Sequence, residues 1–334
     1  NYSVESNYDG QAQYFREAVS DNLKEWCEQN GYDLYTSGLK IYTTIDTRLQ
    51  KYAEQAAIKQ MKIVQRNFNS HWGKTNPWQD ERHQEIPGFI EGIAKRLPVY
   101  SYLSNKYANQ PDSVEYWLNQ PHKVKVFDYE QGTIEMEMST MDSIRYMTRF
   151  MHCGMVAIDA RNGHVKAWVG DVDFSSWKYD KVTAMRQPGS TFKLFVYAEA
   201  MNQGLTPCTK RRDEYIRMKV YDAQKKEDVW WCPTNANGHF SGDSIPLKAA
   251  FAQSINSVAV KLGQEVGIPN VAATAKAMGI ESKLHETPSL ALGASDVNLL
   301  ELVNAYSTVA NDGKAHSPVL VTRILDRNGK EVYT

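Results

Sequence analysis

Ser190 and Lys193 stand three residues apart in RQPGSTFK (186–193), between a Pro-Gly turn and the apolar run LFVYAEAMNQG. A serine hydroxyl becomes a nucleophile when a base takes its proton, and a lysine is that base only while its amine is neutral. Burial disfavours the ammonium form, and so does the positive end of a helix dipole. The run after Lys193 is apolar nearly all round, which predicts a helix buried in the core with a stop at Gly204. At its mouth, residues i and i+3 share a face. The backbone N–H of Ser190 is free there to donate to an oxyanion. The competing reading makes Ser190 an ordinary N-cap and Lys193 a solvated side chain.

Spacing alone does not decide between the two. With 22 serines and 24 lysines in 334 residues, about 1.6 Ser-x-x-Lys strings arise by chance, and three are present. Ser37–Lys40 precedes a strand, where residues three apart point to opposite faces. Ser175–Lys178 lies in a polar loop, so only Ser190–Lys193 opens a helix. A second element follows in FAQSINSVAV, where Ser254 and Asn256 sit between two helical segments. A second hydroxyl can relay a proton to a leaving group, and an amide two residues on can hold the lysine and a substrate carbonyl. Taken alone, Ser254–Asn256 reads equally as a helix-capping junction. Ser20-Asp21-Asn22 is a similar string inside the polar helical stretch REAVSDNLKEWCEQNG, and reads as a solvated face.

Composition bounds the rest. With 42% hydrophobic residues and a net charge of −1, the chain can pack a core and lacks the basic footprint of a nucleic-acid binder. The four cysteines and eight histidines show no metal-ligand spacing, so neither a metal nor another cofactor is expected. Cys208 and Cys232 flank the charged segment KRRDEYIRMKVYDAQKKED. They are either a disulfide pair or two free thiols. No apolar run reaches the length of a membrane span.

The elements that must position these residues read as follows. GLKIYTTID is a strand; a helix follows from Thr47, capped by Asp46 or Thr47, with Leu49, Tyr52, Ala53, Ala56 and Ala57 as its buried stripe. Residues 70–122 are rich in Trp, Tyr, Asn and Pro and read as a linker with short helices. KVKVFDYEQGTIEMEM forms two strands joined at Gln131-Gly132. GMVAID and HVKAWVGD are strands around an Asn162-Gly163 turn. Helices are predicted over Pro246–Gln253, Ser257–Val266, Val271–Met278 and Asp296–Ala310, then a hairpin, PVLVTRILD with KEVYT, around Asn328-Gly329. A hairpin, then helices, then a hairpin again gives an α+β fold: an antiparallel sheet packed against a mostly helical half.

Ser-x-x-Lys followed by Ser-x-Asn resembles the signature of the penicilloyl-serine transferases, the penicillin-binding proteins and serine β-lactamases. The wider wording of MVAIDARNGHVKAWVG, MRQPGSTFKLFVYAEAMNQGLTP, PTNANGHFSGDSIPLKAAFAQSINSVAVKLGQEVG and LALGASDVNLLELVNAYSTVANDG is similar to the transpeptidase domain of class A (bifunctional) penicillin-binding proteins. GLKIYTTIDTRLQKYAEQA resembles the segment joining such a domain to an upstream glycosyltransferase. The resemblance is good over 38–60 and 151–334 and loose over 61–150. It implies the β-lactamase/transpeptidase-like fold, with residues 1–150 as a linker region and 151–334 as the transpeptidase domain. Ser190 is then the acyl-enzyme nucleophile, Lys193 its base, Ser254 the relay to the departing D-Ala amine, and Asn256 a substrate-positioning residue. The partners implied are peptidoglycan stem peptides ending in D-Ala-D-Ala and the β-lactams that mimic them. The location implied is the bacterial cell envelope, periplasmic, outside the cytoplasmic membrane, with the anchor outside this chain.

The family's third motif, Lys-Thr-Gly or Lys-Ser-Gly, is absent; Lys74-Thr75-Asn76 is the nearest string and lies far upstream. The glycosyltransferase motifs are absent too. The expectation is a segment of a bifunctional protein, cut before the Lys-Thr-Gly strand, with that strand supplied from elsewhere, another chain included. Two alternatives remain: a serine β-lactamase, for which no deacylating base can be named, and a non-catalytic cell-wall scaffold or binding module.

Overall fold

The computed structural model describes residues 10–80, 82–108, 110–222 and 225–333. Asn1 and Thr334, the outer bounds expected for the two domains, lie outside the described residues, as do Ala223 and Gln224 of the charged segment. The chain divides into two compact units that share it in alternation.

The first unit takes the described chain up to Ser37, Asp46–Met155 and Ala167–Lys181. Its α1 (Gln13–Gln29) buries Tyr14, Phe15, Val19, Leu23 and Cys27 at helical spacing. Asp21 and Asn22 are exposed on its other face, which makes Ser20-Asp21-Asn22 the solvated string expected. The chain leaves for the second unit as β1 (Lys40–Thr43) and returns as α2 (Thr47–Trp72). Asp46 caps α2 by accepting from the N–H groups of Arg48 and Leu49.

The expected stripe of α2 needs correction. Leu49 and Tyr52 are exposed, and the buried residues are Gln50, Ala53, Met61 and Gln65. Gln50 turns inward because its amide matches both backbone groups of one residue: Nε2 donates to Trp168 O at 2.8 Å, and Trp168 N–H donates to Oε1 at 2.7 Å. Satisfying two buried backbone groups outweighs the apolar pattern.

Then come α3 (Phe89–Ala94), α4 (Pro98–Lys106) and α5 (Pro111–Leu118), two of them opened by proline. The antiparallel pair β2 (His122–Asp128) and β3 (Gly132–Met138) follows, then α6 (Thr140–Thr148). Trp78, Ile90, Leu103, Val114, Leu118 and Met141 form a core among the short helices. β4 (Met155–Ile158) and β5 (Val165–Val169) pair where the chain passes between the units.

The second unit takes Gly38–Ile45, Val156–Lys166 and the described chain from Val182 onward. A 3-10 turn over Gly189–Phe192 leads into α7 (Lys193–Asn202). The charged segment forms β6 (Lys210–Arg212), then the ribbon of β7 (Met218–Asp222) and β8 (Glu227–Trp231); β6 pairs antiparallel with β9 (Ser244–Pro246). Cys208 and Cys232 are both free and exposed, which selects the free-thiol alternative.

Four helices follow: α8 (Leu247–Ala252), α9 (Asn256–Val266), α10 (Ile268–Ala277) and α11 (Leu299–Ala310). β10 (Val321–Leu325) and β11 (Glu331–Tyr333) complete an antiparallel sheet in the order β1-β10-β11. The core of this unit surrounds α7, with Phe192, Phe195, Val196, Leu247, Val258, Leu262 and Leu290 all at most 1% exposed. That apolar jacket encloses the first residue of α7, Lys193.

Candidate functional site

Ser190 lies in the 3-10 turn, one residue after Gly189 at φ +57°. Side chains three apart eclipse in a 3-10 turn, so Ser190 and Lys193 share a face. Lys193 is the first residue of α7. The turn is held from three sides. Tyr306 Oη donates to Thr191 O at 2.7 Å. Arg186 and Val297 exchange both backbone hydrogen bonds, at 3.0 and 2.9 Å. Gly293, at φ +75°, packs on the backbone of Gly189.

Ser190 is exposed, and among the described residues neither its Oγ nor its backbone N–H has a hydrogen-bond partner. It is therefore not the cap of α7; Thr191 is the residue that bonds locally, from Oγ1 to Pro188 O at 2.7 Å.

Lys193 is 1% exposed. Its Nζ donates to Ser254 O at 2.7 Å, Asn256 Oδ1 at 2.6 Å and Ser254 Oγ at 3.0 Å. The structure thus joins Lys193 to the Ser-x-Asn element, 61 and 63 residues on in sequence. It does not form a Ser190–Lys193 hydrogen bond. No carboxylate is among the three acceptors, and burial pushes the Lys193 ammonium down to about 8.

Ser254 sits just past the end of α8 in the left-handed conformation, at φ +54°. Ile255 N–H bonds Ala250 O at 3.0 Å and Ser254 N–H bonds Phe251 O at 3.0 Å. That pair of bonds is a Schellman motif, in which glycine is the usual occupant of the position Ser254 holds. A serine there costs of order 1 kcal/mol in backbone strain, and it carries the hydroxyl that meets Lys193. Asn256 is the first residue of α9, and its Nδ2 donates to Thr234 O at 2.8 Å.

Several site residues were not singled out from the sequence. Asn235 and Asp213 are buried, at 8% and 4% exposure, and join the start of α9 to the base of the β7–β8 ribbon. Their signal is long-range pairing within a stretch that reads as charged and loop-like. Gly293 and Tyr306 lie in the quoted segment LALGASDVNLLELVNAYSTVANDG but carry no motif of their own. A cavity of 590 Å³ in the first unit, lined by Tyr100, Tyr107, Val114, Leu118 and Arg145 among others, contains none of the four expected residues. Lys74-Thr75-Asn76 occupies the turn after α2.

The arrangement can do acyl transfer. An exposed hydroxyl stands on the same face as a buried amine of lowered basicity. A second hydroxyl touches that amine, and an unpaired backbone N–H stands at the first hydroxyl. Two family descriptions match the chain: "Penicillin binding protein transpeptidase domain" over residues 153–334 and "Penicillin-binding protein middle domain" over 73–151.

Among curated relatives, penicillin-binding protein 1A of Rickettsia prowazekii (strain Madrid E) is 28% identical over 343 residues, covering 96% of this chain and 42% of that protein. Penicillin-binding protein 1A of Neisseria gonorrhoeae is 28% identical over 347 residues, with the same coverage of 96% and 42%. Penicillin-binding protein 2D of Bacillus subtilis (strain 168) is 39% identical over 181 residues, 54% of this chain and 26% of that protein. The chain thus spans less than half the length of these relatives. The crystal structure of penicillin-binding protein 1A from Haemophilus influenzae shares the fold, with a TM-score of 0.64 and 23% identity over 100% of this chain and 51% of that one. The penicillin-binding protein PonA1 from Mycobacterium tuberculosis gives 0.55 and 18%, over 96% and 62%.

Proposed function

The chain belongs to the penicillin-binding protein transpeptidase family, and from that premise we propose that it forms part of a D-Ala-D-Ala transpeptidase that cross-links peptidoglycan stem peptides through an acyl-enzyme on Ser190. In this reading residues 1–150 are the linker region and 151–334 the transpeptidase domain as far as the strand before Lys-Thr-Gly. That strand and a glycosyltransferase belong to the longer parent protein of the bacterial cell envelope, on the periplasmic side of the membrane. Among the described residues no helix is long and apolar enough to cross a membrane.

The observation that carries the reading is the set of three contacts around Lys193. Two of its acceptors, Ser254 O and Asn256 Oδ1, can only accept; the third, Ser254 Oγ, can also donate. A neutral Lys193 therefore spends its two N–H groups on the two carbonyl oxygens and turns its lone pair toward hydroxyls. With a value of about 8, about a tenth of the molecules carry that neutral amine at pH 7.

Ser190 Oγ gives its proton to Lys193 Nζ as it bonds to the penultimate D-Ala carbonyl carbon. The oxyanion forms beside the unpaired N–H of Ser190. Collapse breaks the C–N bond, and the departing D-Ala amine takes its proton through Ser254 Oγ from Lys193, which becomes neutral again. The amine of a neighbouring stem peptide then attacks the ester, loses a proton to Lys193, and Ser190 Oγ recovers one as it leaves. β-Lactams enter at the first step as mimics of the D-Ala-D-Ala end.

Labelling the full-length protein with a fluorescent penicillin, beside Ser190→Ala, tests this. A stable label on the wild type and none on the variant are expected. A label lost within seconds points to a β-lactamase instead; no label on the wild type points to a non-catalytic scaffold.

A further inference from the structure

One buried polar network beside the site has no part in the steps above. The amide of Asn235 uses all of its hydrogen-bonding capacity. Its Oδ1 accepts from the backbone N–H of Asn256 at 3.0 Å and of Ser257 at 3.1 Å. Its Nδ2 donates to Asp213 Oδ1 at 2.8 Å and to His239 O at 2.9 Å. Asp213 also receives Ser257 Oγ at 2.6 Å and the Ser241 N–H at 2.8 Å. Burial alone would raise the Asp213 carboxyl, but those hydrogen bonds outweigh it and hold the group below its ordinary value.

α9 has no cap of its own, because the residue before it, Ile255, lacks a polar side chain. Asn235 does the capping from 21 residues upstream. The helix it caps begins with Asn256, so the bond that starts the helix also fixes the backbone from which Asn256 reaches Lys193. Thr234, the neighbour of Asn235, takes the Asn256 Nδ2 proton on its carbonyl at 2.8 Å. That choice leaves Oδ1 for Lys193; the opposite amide orientation would set two donors against each other.

We propose that Asn235, held by Asp213, is a positioning residue for Lys193: it sets the first turn of α9 and, through Thr234, the sense of the Asn256 amide that receives the lysine. The proposal rests on the reading of Lys193 as the base. Fixed geometry matters there because a displacement of about 1 Å costs on the order of a hundredfold in rate.

The test measures, against pH, the rate constant for acylation of the full-length protein by a fluorescent penicillin. The proteins compared are the wild type, Asn235→Ala, Asp213→Asn, Ser190→Ala and Thr274→Val. Thr274 supplies the control, since its Oγ1 donates to Glu199 Oε2 at 2.6 Å in a buried contact outside this network. Asn235→Ala is expected to acylate about ten- to a hundredfold more slowly, with the pH at which the rate rises displaced. Asp213→Asn is expected to move both in the same direction by less. Thr274→Val lowers the melting temperature and leaves rate and profile unchanged.

A wild-type rate and profile in Asn235→Ala, or a loss no larger than that of Thr274→Val, overturns the proposal. Should Asn235→Ala not fold, a folded Asp213→Asn protein with unaltered kinetics overturns it instead. An unlabelled wild type, or a labelled Ser190→Ala, removes the catalytic reading and the proposal with it. A labelled wild type, an unlabelled Ser190→Ala and a normal Asn235→Ala remove the positioning role alone.

Discussion

Gly293 lies directly on the backbone of Gly189: a Cβ at position 293 would stand 2.2 Å from Gly189 O and 2.7 Å from Gly189 N. Gly293 is also at φ +75°, where any side chain adds strain. The turn that presents Ser190 is therefore shaped by a missing methyl group about 100 residues away in sequence. Gly293→Ala is expected to lower stability by about 1–3 kcal/mol and to slow penicillin acylation about tenfold or more. Thermal denaturation and labelling kinetics on one preparation check both; an unchanged labelling rate would mean the contact does not position Ser190.

Lys193 supplies the second prediction. Its folded value, about 8, lies below the ordinary 10.5. Between those values the unfolded chain holds more protons than the folded one, so stability rises with pH across that window. Burying the lysine therefore costs about 3 kcal/mol below pH 8. Acylation should climb about tenfold from pH 7 to pH 9 as the neutral amine accumulates. Lys193→Ala should abolish that climb and cut acylation about a hundredfold or more, with a much smaller effect on the melting temperature. Loss of activity explained by unfolding would refute the assignment of Lys193 as the base.

At Ser254 the backbone and the hydroxyl can be separated. Ser254→Ala and Ser254→Gly both remove the group that meets Lys193, and both should acylate slowly to the same degree. Only glycine relieves the left-handed backbone, so Ser254→Gly should be the more stable of the two by about 1 kcal/mol. Equal stabilities would show that the Schellman position is unstrained.

Gln50 provides a prediction away from the chemistry. Gln50→Leu restores the apolar character expected of that face of α2 but strands the N–H and C=O of Trp168. The expected result is a loss of about 2–3 kcal/mol, read by thermal denaturation, with acylation well below the transition unchanged. A stabilised Gln50→Leu protein would contradict the backbone-pairing account.

These residues also show what the sequence could disclose. The Pro-Gly turn, the Ser-x-x-Lys spacing and the apolar run of α7 are local signals, and the buried helix follows from them; the α+β class follows from the order of hairpins and helices. Periodicity misses the inward face of α2 because it counts only apolar residues, while Gln50 is buried for its two hydrogen bonds. The tie from Lys193 to Ser254 and Asn256 was anticipated through chemistry. The tie from Asn256 to Asn235 and Asp213 was not, because it joins residues 21 and 43 positions apart with no period between them. The open distance between Ser190 and Lys193 was not anticipated either; it depends on where three acceptors hold one amine.

The Asp213–Asn235 bond stands at the two feet of the ribbon formed by β7 and β8. That bond closes the base of the ribbon whatever the ribbon's length, while Thr234 just inside it touches Asn256 and Met218 and Trp231 pack on the core around α7. A longer or shorter tip would leave that closure in place. An epitope or fluorophore grafted there is expected to leave penicillin labelling of Ser190 unchanged.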